Sequence, residues 1–517
     1  MPLIDSSASG FYRLAAVHPN RTALVGPGSG TLTFGELSAK VNRVSHAFRA
    51  LGLARGDVVA ALVYNGWTYF ELVLATGQLG LYLVPLNWQQ APPEVAYIVR
   101  DSGAKVLVAD AALAAALTTV AGSLPEGRFS VGGRVSGWTP YETLEGPATE
   151  PGDRSAGAIM GYTSGTTGRP KGVKRELVES TPEDAIRQAL PLFRCFGVDH
   201  DNGVHLICSP LYHSAPGGWA TMLLHLGHTL VCHQRFDADL VLRDIERHHV
   251  TTSHMVPTHF HRLLKVPNRK DYDLSSLVAL VHAGAPCPVA HKQAMIDWVG
   301  PIVWEYLGST EGGWVSIVGP EEWLSRPGTV GKPAPGTTVK ILDETGAEVK
   351  TGEAGTIYVR STRSNFVYHN DPAKTARSRV GAFATSGDIG RLDDDGYLYI
   401  LDRRDDLILS GGANIYPAEI EARLITHPAV RDVAVISTAD PEWGQSVLAV
   451  VQLVDIETAT AELAESLRAY CAEALASYKC PRRFEFRAEF PRTPAGKLQR
   501  RVLRDFYNAR HDQGLNS

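Results

Sequence analysis

Leu37, Val41, Val44, Phe48 and Leu51 recur three or four positions apart, the spacing that gathers side chains on one face of an α-helix. Thr33 and Glu36 stand ahead of this run in the Thr-x-x-Glu arrangement that satisfies the free N–H groups of a first helical turn, and Gly52 ends it. The period then switches. A strand is predicted over 57–64, a helix over 69–80, a strand over 82–87, a helix over 94–103 and a strand over 105–110. Alternation of this kind predicts α/β layers built on largely parallel sheets, and it resumes in apolar segments near Leu230 and Leu280.

The texture changes twice more. Between 328 and 399 the apolar residues fall in short segments, TVKILD, GTIYVR and GYLYIL, which predict a small β subdomain closing the main body. After the charged run Asp402-Arg403-Arg404-Asp405-Asp406, a new α+β pattern begins: a helix over 415–427, strands over 430–437 and 447–454, and a helix over 461–475. The boundary is therefore expected at Arg404, giving domains 1–404 and 405–517. The expected fold class is α/β, with a large N-terminal domain of layered sheets and a small α+β C-terminal domain.

Composition narrows the functions that such a chain can serve. Apolar residues at 44% and charged residues at 20% fit a globular protein of 517 residues, too long for one ordinary core. A net charge of −5 supplies no basic field to draw the chain onto nucleic acid, so a phosphate-bearing substrate has to be held by local groups. Cys195, Cys208, Cys232, Cys287, Cys471 and Cys480 form no C-x-x-C pair, which fits a reducing, cytoplasmic setting. The first residues do not read as a secretion signal, and no apolar run is long enough to span a bilayer, although peripheral membrane contact stays open.

The densest chemical signal is Thr163-Ser164-Gly165-Thr166-Thr167-Gly168-Arg169-Pro170-Lys171-Gly172. Glycines let backbone N–H groups approach phosphate oxygens, hydroxyls add donors, and Lys171 supplies a positive charge. It is not a Walker A loop, because Pro170 precedes the lysine and neither Ser nor Thr follows it. No G-x-S-x-G elbow is present to suggest an esterase. Gly308-Ser309-Thr310-Glu311, Ser386-Gly387-Asp388, the stretch from Arg403 to Glu421 and Pro494-Ala495-Gly496-Lys497 follow in order.

With these motifs the chain resembles the adenylate-forming superfamily of acyl-CoA synthetases, firefly luciferase and nonribosomal-peptide adenylation domains, over nearly its whole length. The resemblance implies an enzyme that joins a carboxylic acid to AMP from ATP and then passes the acyl group to coenzyme A. By the same resemblance Thr163 to Gly168 and Lys171 hold phosphates, with Gly284, Ala285, Gly308, Ser309 and Thr310 also on the nucleotide. Glu311 binds magnesium, and Asp388 with Arg403 binds ribose. The C-terminal domain is mobile about Asp405: Lys497 serves adenylation, then Gly411 and Gly412 replace it and line the pantetheine channel. Two departures stand out: the family's aromatic adenine position holds Leu307, preceded by Tyr306, and Arg175-Glu176 replaces the Ser-His that often follows the phosphate loop.

Amino-acid adenylating members carry an acidic residue where this chain reads Ser209 to Ser214, and none is present here. Tyr212-His213 instead resembles the gate of fatty-acyl and aryl-CoA ligases, with a core-packing histidine as the plainer alternative for His213. Gly217, Gly218, Trp219, His282, Gly284, Trp314 and Val315 line the acid pocket by resemblance, which implies a fatty, aromatic or sterol-derived acid. Lys479, Arg482 and Arg483 form a basic cluster suited to the phosphates of coenzyme A. A stand-alone enzyme that loads a carrier protein would share every ATP motif and is the alternative.

Overall fold

The computed structural model describes residues 10–26, 30–125, 127–163, 170–198, 202–362, 365–403, 406–410, 413–440, 443–492 and 498–514. Among these, two large sheets form the body. One has six strands, all parallel, in the order Thr139–Pro140, Gly127–Val131, Val106–Asp110, Val58–Leu62, Tyr82–Pro85 and Ala158–Ile159. Every residue of Val58–Leu62 is buried, as expected of a strand covered on both faces. The other sheet has nine strands and is parallel through its centre, where Thr229–Cys232, Val204–Ile207, Thr252–Met255, Ala279–His282 and Val303–Ser309 lie side by side. Gly313–Val318 and Lys332–Pro333 extend it antiparallel.

The first predicted helix forms over Phe34–Ala50 with its reciprocal cap: Glu36 N–H donates to Thr33 Oγ1 at 3.2 Å and Thr33 N–H to Glu36 Oε2 at 2.8 Å. Leu37, Val41, Val44 and Phe48 are buried in the main core, but Leu51 is 48% exposed. Helical geometry ends one residue before it, so Leu51 leaves the apolar stripe.

The β-rich segment forms a six-stranded sheet from Thr338–Leu342 to Leu398–Arg403. In the C-terminal part, Val430–Asp440, Gly444–Leu453 and Arg483–Phe486 form a three-stranded sheet against the helices Pro417–Leu424, Ala461–Ala472 and Arg500–Gly514. The helix expected from 415 starts two residues later. Pro417 suits a first helical position because it needs no N–H partner there, while Ile415 pairs with Ile408 in a short ribbon.

The C-terminal ends of the two large sheets meet at Asn65, which is 4% exposed. Its Nδ2 donates to the carbonyls of Ser209 and His233 at 2.9 and 3.0 Å, and its Oδ1 accepts from Leu211 N–H at 2.8 Å. Asn65 follows a strand of one sheet, and Ser209 and His233 follow strands of the other. The crevice beyond carboxyl strand ends is where open α/β sheets bind ligands. No helix among the described residues is long and apolar enough to cross a membrane.

Candidate active site

The strands on either side of the glycine- and hydroxyl-rich segment pair with each other. Gly161–Thr163 pairs antiparallel with Lys171–Lys174, with Thr163 opposite Lys171, and Val367–Tyr368 adds a third strand to the ribbon. Ser164, Gly165, Thr166, Thr167 and Gly168 lie outside the described residues. The ribbon's base packs closely on the Gly308–Glu311 turn: a side chain at Gly161 would stand 3.1 Å from Thr310 Cγ2.

Glu311 sits in this junction, 8% exposed. Its Oε1 accepts from the Tyr368 hydroxyl at 3.1 Å and from Thr163 Oγ1 at 3.4 Å. Arg175 Nη2 donates to the backbone carbonyls of Thr310 and Glu311 at 2.6 and 2.9 Å. The residue that departs from the family pattern therefore fixes the turn carrying the carboxylate. Burial, reinforced by the Glu311 charge, raises the Tyr368 phenol, which stays protonated and donating.

Lys171 Nζ lies 3.2 Å from Asp371 Oδ2. Asp371 also caps the helix Pro372–Arg377 by accepting from Lys374 N–H, and that bond, followed by the Lys171 contact, lowers its carboxyl. Tyr368 and Asp371 thus bring one short segment against both Glu311 and Lys171, and the sequence reading found neither. Tyr368 is placed by its register opposite Val173 and Asp371 by the helix cap that follows, and both placements exist in three dimensions alone.

Asp388 is 8% exposed and accepts from Ser386 Oγ at 2.7 Å. It stands directly across the antiparallel pair from Arg403, whose side chain lies outside the described residues. Gly284 and Ala285 are exposed just beyond the strand Ala279–His282, and Ser309 Oγ accepts from Gly312 N–H at 2.8 Å. Asp405, Gly411, Gly412 and Lys497 also lie outside the described residues. Asp406, just beyond the expected hinge, is held by Arg504 at 2.9 Å and Arg500 at 3.5 Å.

His213 caps the helix Ser214–His225 in extended backbone, its ring 4.3 Å from that of Tyr212. Ser214 Oγ lies 3.0 Å from Thr310 Oγ1, which brings this helix start to the Glu311 turn. Beneath it, Trp219 and Trp314 join Phe193, Phe196 and Tyr306 in one aromatic cluster. The Tyr306 ring is committed here, its hydroxyl 3.0 Å from His254 Nε2, while Leu307 packs toward the β subdomain. Val315 also packs on that subdomain core. His282 is fully buried against Glu305 and Phe260; Glu305 is in turn ion-paired to the buried Lys292 at 2.7 Å.

The basic cluster is not a set of spare charges. Lys479 pairs with Glu419 at 2.8 Å, Arg482 with Asp440 at 3.7 Å and Arg483 with Glu485 at 3.4 Å.

Residues 11–366 match the family described as AMP-binding enzyme, and residues 419–497 match the AMP-binding enzyme C-terminal domain. The chain belongs to the AMP-binding enzyme family. It is 34% identical over 503 residues to a feruloyl-CoA synthase of an Amycolatopsis species, covering 95% of this chain and 97% of the relative. It is 32% identical over 480 residues to the fatty acid–[acyl-carrier-protein] ligase ScoC of Streptomyces coeruleorubidus, covering 92% and 91%. The structure of the anthranilate CoA ligase AuaEII with anthranoyl-AMP superposes with a TM-score of 0.87 at 28% identity, over 99% of both chains. The protein is an adenylate-forming acid–thiol ligase of the acyl-CoA synthetase type, with the ATP- and AMP-binding fold of that family.

Proposed function

We propose that this AMP-binding enzyme adenylates an apolar carboxylic acid, fatty, aromatic or sterol-derived, and transfers the acyl group to coenzyme A in the cytoplasm. The observation that carries this reading is that Glu311 contacts Thr163, which pairs across the ribbon with Lys171, while the neighbouring Thr310 touches Ser214 at the start of the helix that carries Trp219. The carboxylate oxygen attacks the α-phosphorus of ATP and pyrophosphate leaves; the thiol then attacks the acyl carbonyl and AMP leaves. Both steps build negative charge that fixed donors and cations must meet.

Magnesium fits the donor set. Among the described residues no group of three metal-ligating side chains exists, and Glu311 stands as a single hard carboxylate steadied through Oε1. A cation that takes one or two carboxylates and completes its shell with phosphates and water suits such a site. When bound, it neutralises phosphate charge. Lys171, and Lys497 from the C-terminal domain, add positive charge at the phosphates; Asp388 and Arg403 hold the ribose; His213 gates the acid. The domains 1–404 and 405–517 move about Asp405, and Gly411 and Gly412 then line the path of the pantetheine arm.

Acid-dependent AMP release, measured over a panel of acids with and without coenzyme A, tests the assignment. Release that ignores coenzyme A removes it. The alternative acceptor, a carrier protein, is favoured by the likeness to ScoC and by the ion pairing of Lys479, Arg482 and Arg483. Thioester formation on a phosphopantetheinylated carrier but not on free coenzyme A selects that reading.

A further inference from the structure

Resting on that reading, we propose that the acid is compact and flat, a carboxylic acid of a single arene or arylalkene unit, and that Gly218, Trp314 and Phe193 impose this shape. The helix Ser214–His225 fixes one side. Ser214 touches Thr310 at the mouth, and Gly218, one turn further, stands on the same face. A side chain at Gly218 would meet no described atom within 4 Å, so room for substrate lies beside it. Its neighbour Gly217 serves packing alone: a Cβ there would stand 2.3 Å from the Leu211 carbonyl oxygen and 2.5 Å from the Tyr69 hydroxyl.

Trp314 stands three residues beyond Glu311 and opposite Gly308 in the strand register, and its ring lies 5.9 Å from that of Trp219, the residue next to Gly218. Phe193 and Phe196 meet the Trp314 ring edge-on at 5.0 and 5.1 Å. Both phenylalanines come from the 3-10 turn Leu190–Phe196, which belongs to none of the motifs above. Phe193 and Phe196 also meet Trp219 edge-on at 4.7 and 4.9 Å, and Phe196 and Trp219 are 0% and 2% exposed. Swinging one indole aside to admit an extended alkyl chain breaks several of these contacts together. A planar ring instead meets ring faces and edges of matching geometry.

The wall is also uncharged. Its polar residues are Tyr306 and His254, bonded to each other at 3.0 Å, and burial keeps the imidazole neutral. Among the described residues of the cluster, a second carboxylate or an ammonium on the substrate finds no counter-charge, and leaving it unpaired is costly.

Acid-dependent ATP–pyrophosphate exchange, run without coenzyme A on the full-length enzyme, tests this with benzoate, cinnamate, octanoate and hexadecanoate. Benzoate or cinnamate is expected to exceed hexadecanoate in kcat/KM by about 100-fold or more, a range that pocket shape alone can supply. Gly218→Leu, which projects into open space and should keep the wild-type Tm, is expected to lower the aromatic acids by about 100-fold without changing KM for MgATP. Phe193→Ala and Trp314→Ala are expected to raise octanoate by about 10-fold. Hexadecanoate as the preferred acid, or a Gly218→Leu enzyme that still takes both aromatic acids at the wild-type rate, overturns the shape limit and leaves the ligase reading standing. Exchange with no acid at all overturns the ligase reading itself.

Discussion

Tyr368→Phe isolates the support of Glu311, the proposed magnesium ligand, from Glu311 itself. The Glu311 carboxylate receives the Tyr368 hydroxyl at 3.1 Å and the longer Thr163 contact at 3.4 Å, so the phenol is the stronger of the two. A hydrogen bond to a charged group contributes about 1.5–3 kcal/mol. If that orientation is used fully in the transition state, its loss slows adenylation roughly 10- to 150-fold, at about 1.4 kcal/mol per decade. The ring itself is retained, and with it the edge contact to Phe366 at 5.3 Å and the Lys374 ammonium over its face at 4.0 Å. Packing should therefore survive, and Tm should fall by no more than a few degrees. The assay is acid-dependent ATP–pyrophosphate exchange across a magnesium titration, with Tm measured alongside. With Glu311 as the proposed metal ligand, part of the loss should return at high magnesium. An exchange rate within twofold of wild type at low magnesium refutes the reasoning, as does a rate loss that tracks a large drop in Tm.

Glu311→Gln should lower adenylation more deeply than Tyr368→Phe with little change in Tm, since it removes the charge and keeps the shape; full activity at low magnesium contradicts the ligand role. Asp371→Asn keeps the helix cap but releases Lys171, so KM for MgATP should fall by roughly two- to fivefold, and a rise in KM shows that the pair positions the lysine instead. Lys497→Ala should cripple acyl-adenylate formation yet turn supplied acyl-adenylate and coenzyme A into thioester, whereas Asp405→Pro should do the reverse; equal damage to both half-reactions in both variants removes the alternating-domain scheme. Burial holds His225, His254 and His259 neutral, each down to about 3 from an ordinary 6.5. Below pH 6.5 the unfolded chain therefore binds protons that the folded chain refuses, so Tm should fall steadily from about pH 6.5 downward, and a Tm that peaks near pH 5 contradicts this.

Periodicity located the elements because burial acts on runs of residues. The helix Phe34–Ala50 carries its cap and its apolar stripe in consecutive positions, so both are legible in one dimension. The glycine- and hydroxyl-rich segment from Thr163 to Gly172 stands out in the sequence for a related reason, since its unusual residues are consecutive. Tyr368, Asp371 and Phe193 have no such local context. Tyr368 reaches Glu311 because Val173 pairs with it across 195 positions, a register that no window of sequence contains. Arg175 was visible only as a departure from a family pattern, and its role appeared once Thr310 and Glu311 were found to present their carbonyls to it. Charge partners are equally hidden: Lys479, Arg482 and Arg483 read as a basic cluster in the sequence, and only the fold places Glu419, Asp440 and Glu485 beside them.

Gly217 and Gly218 make the limit sharper, since they are one residue type at adjacent positions of one helix. A helix turns 100° per residue, so neighbours face different surroundings. At Gly217 the backbone of Leu211 and the phenol of Tyr69 occupy the volume of any side chain, and the glycine is required for the helix to pack at all. At Gly218 no described atom stands within 4 Å, and glycine is a choice that leaves space. The same substitution therefore separates the two roles. Gly217→Ala should lower Tm in every assay, because overpacking a fixed backbone costs about 1–3 kcal/mol wherever it occurs. Gly218→Ala should leave Tm near wild type and alter only which acids are adenylated. If both variants lose stability alike, the space beside Gly218 is not a substrate site.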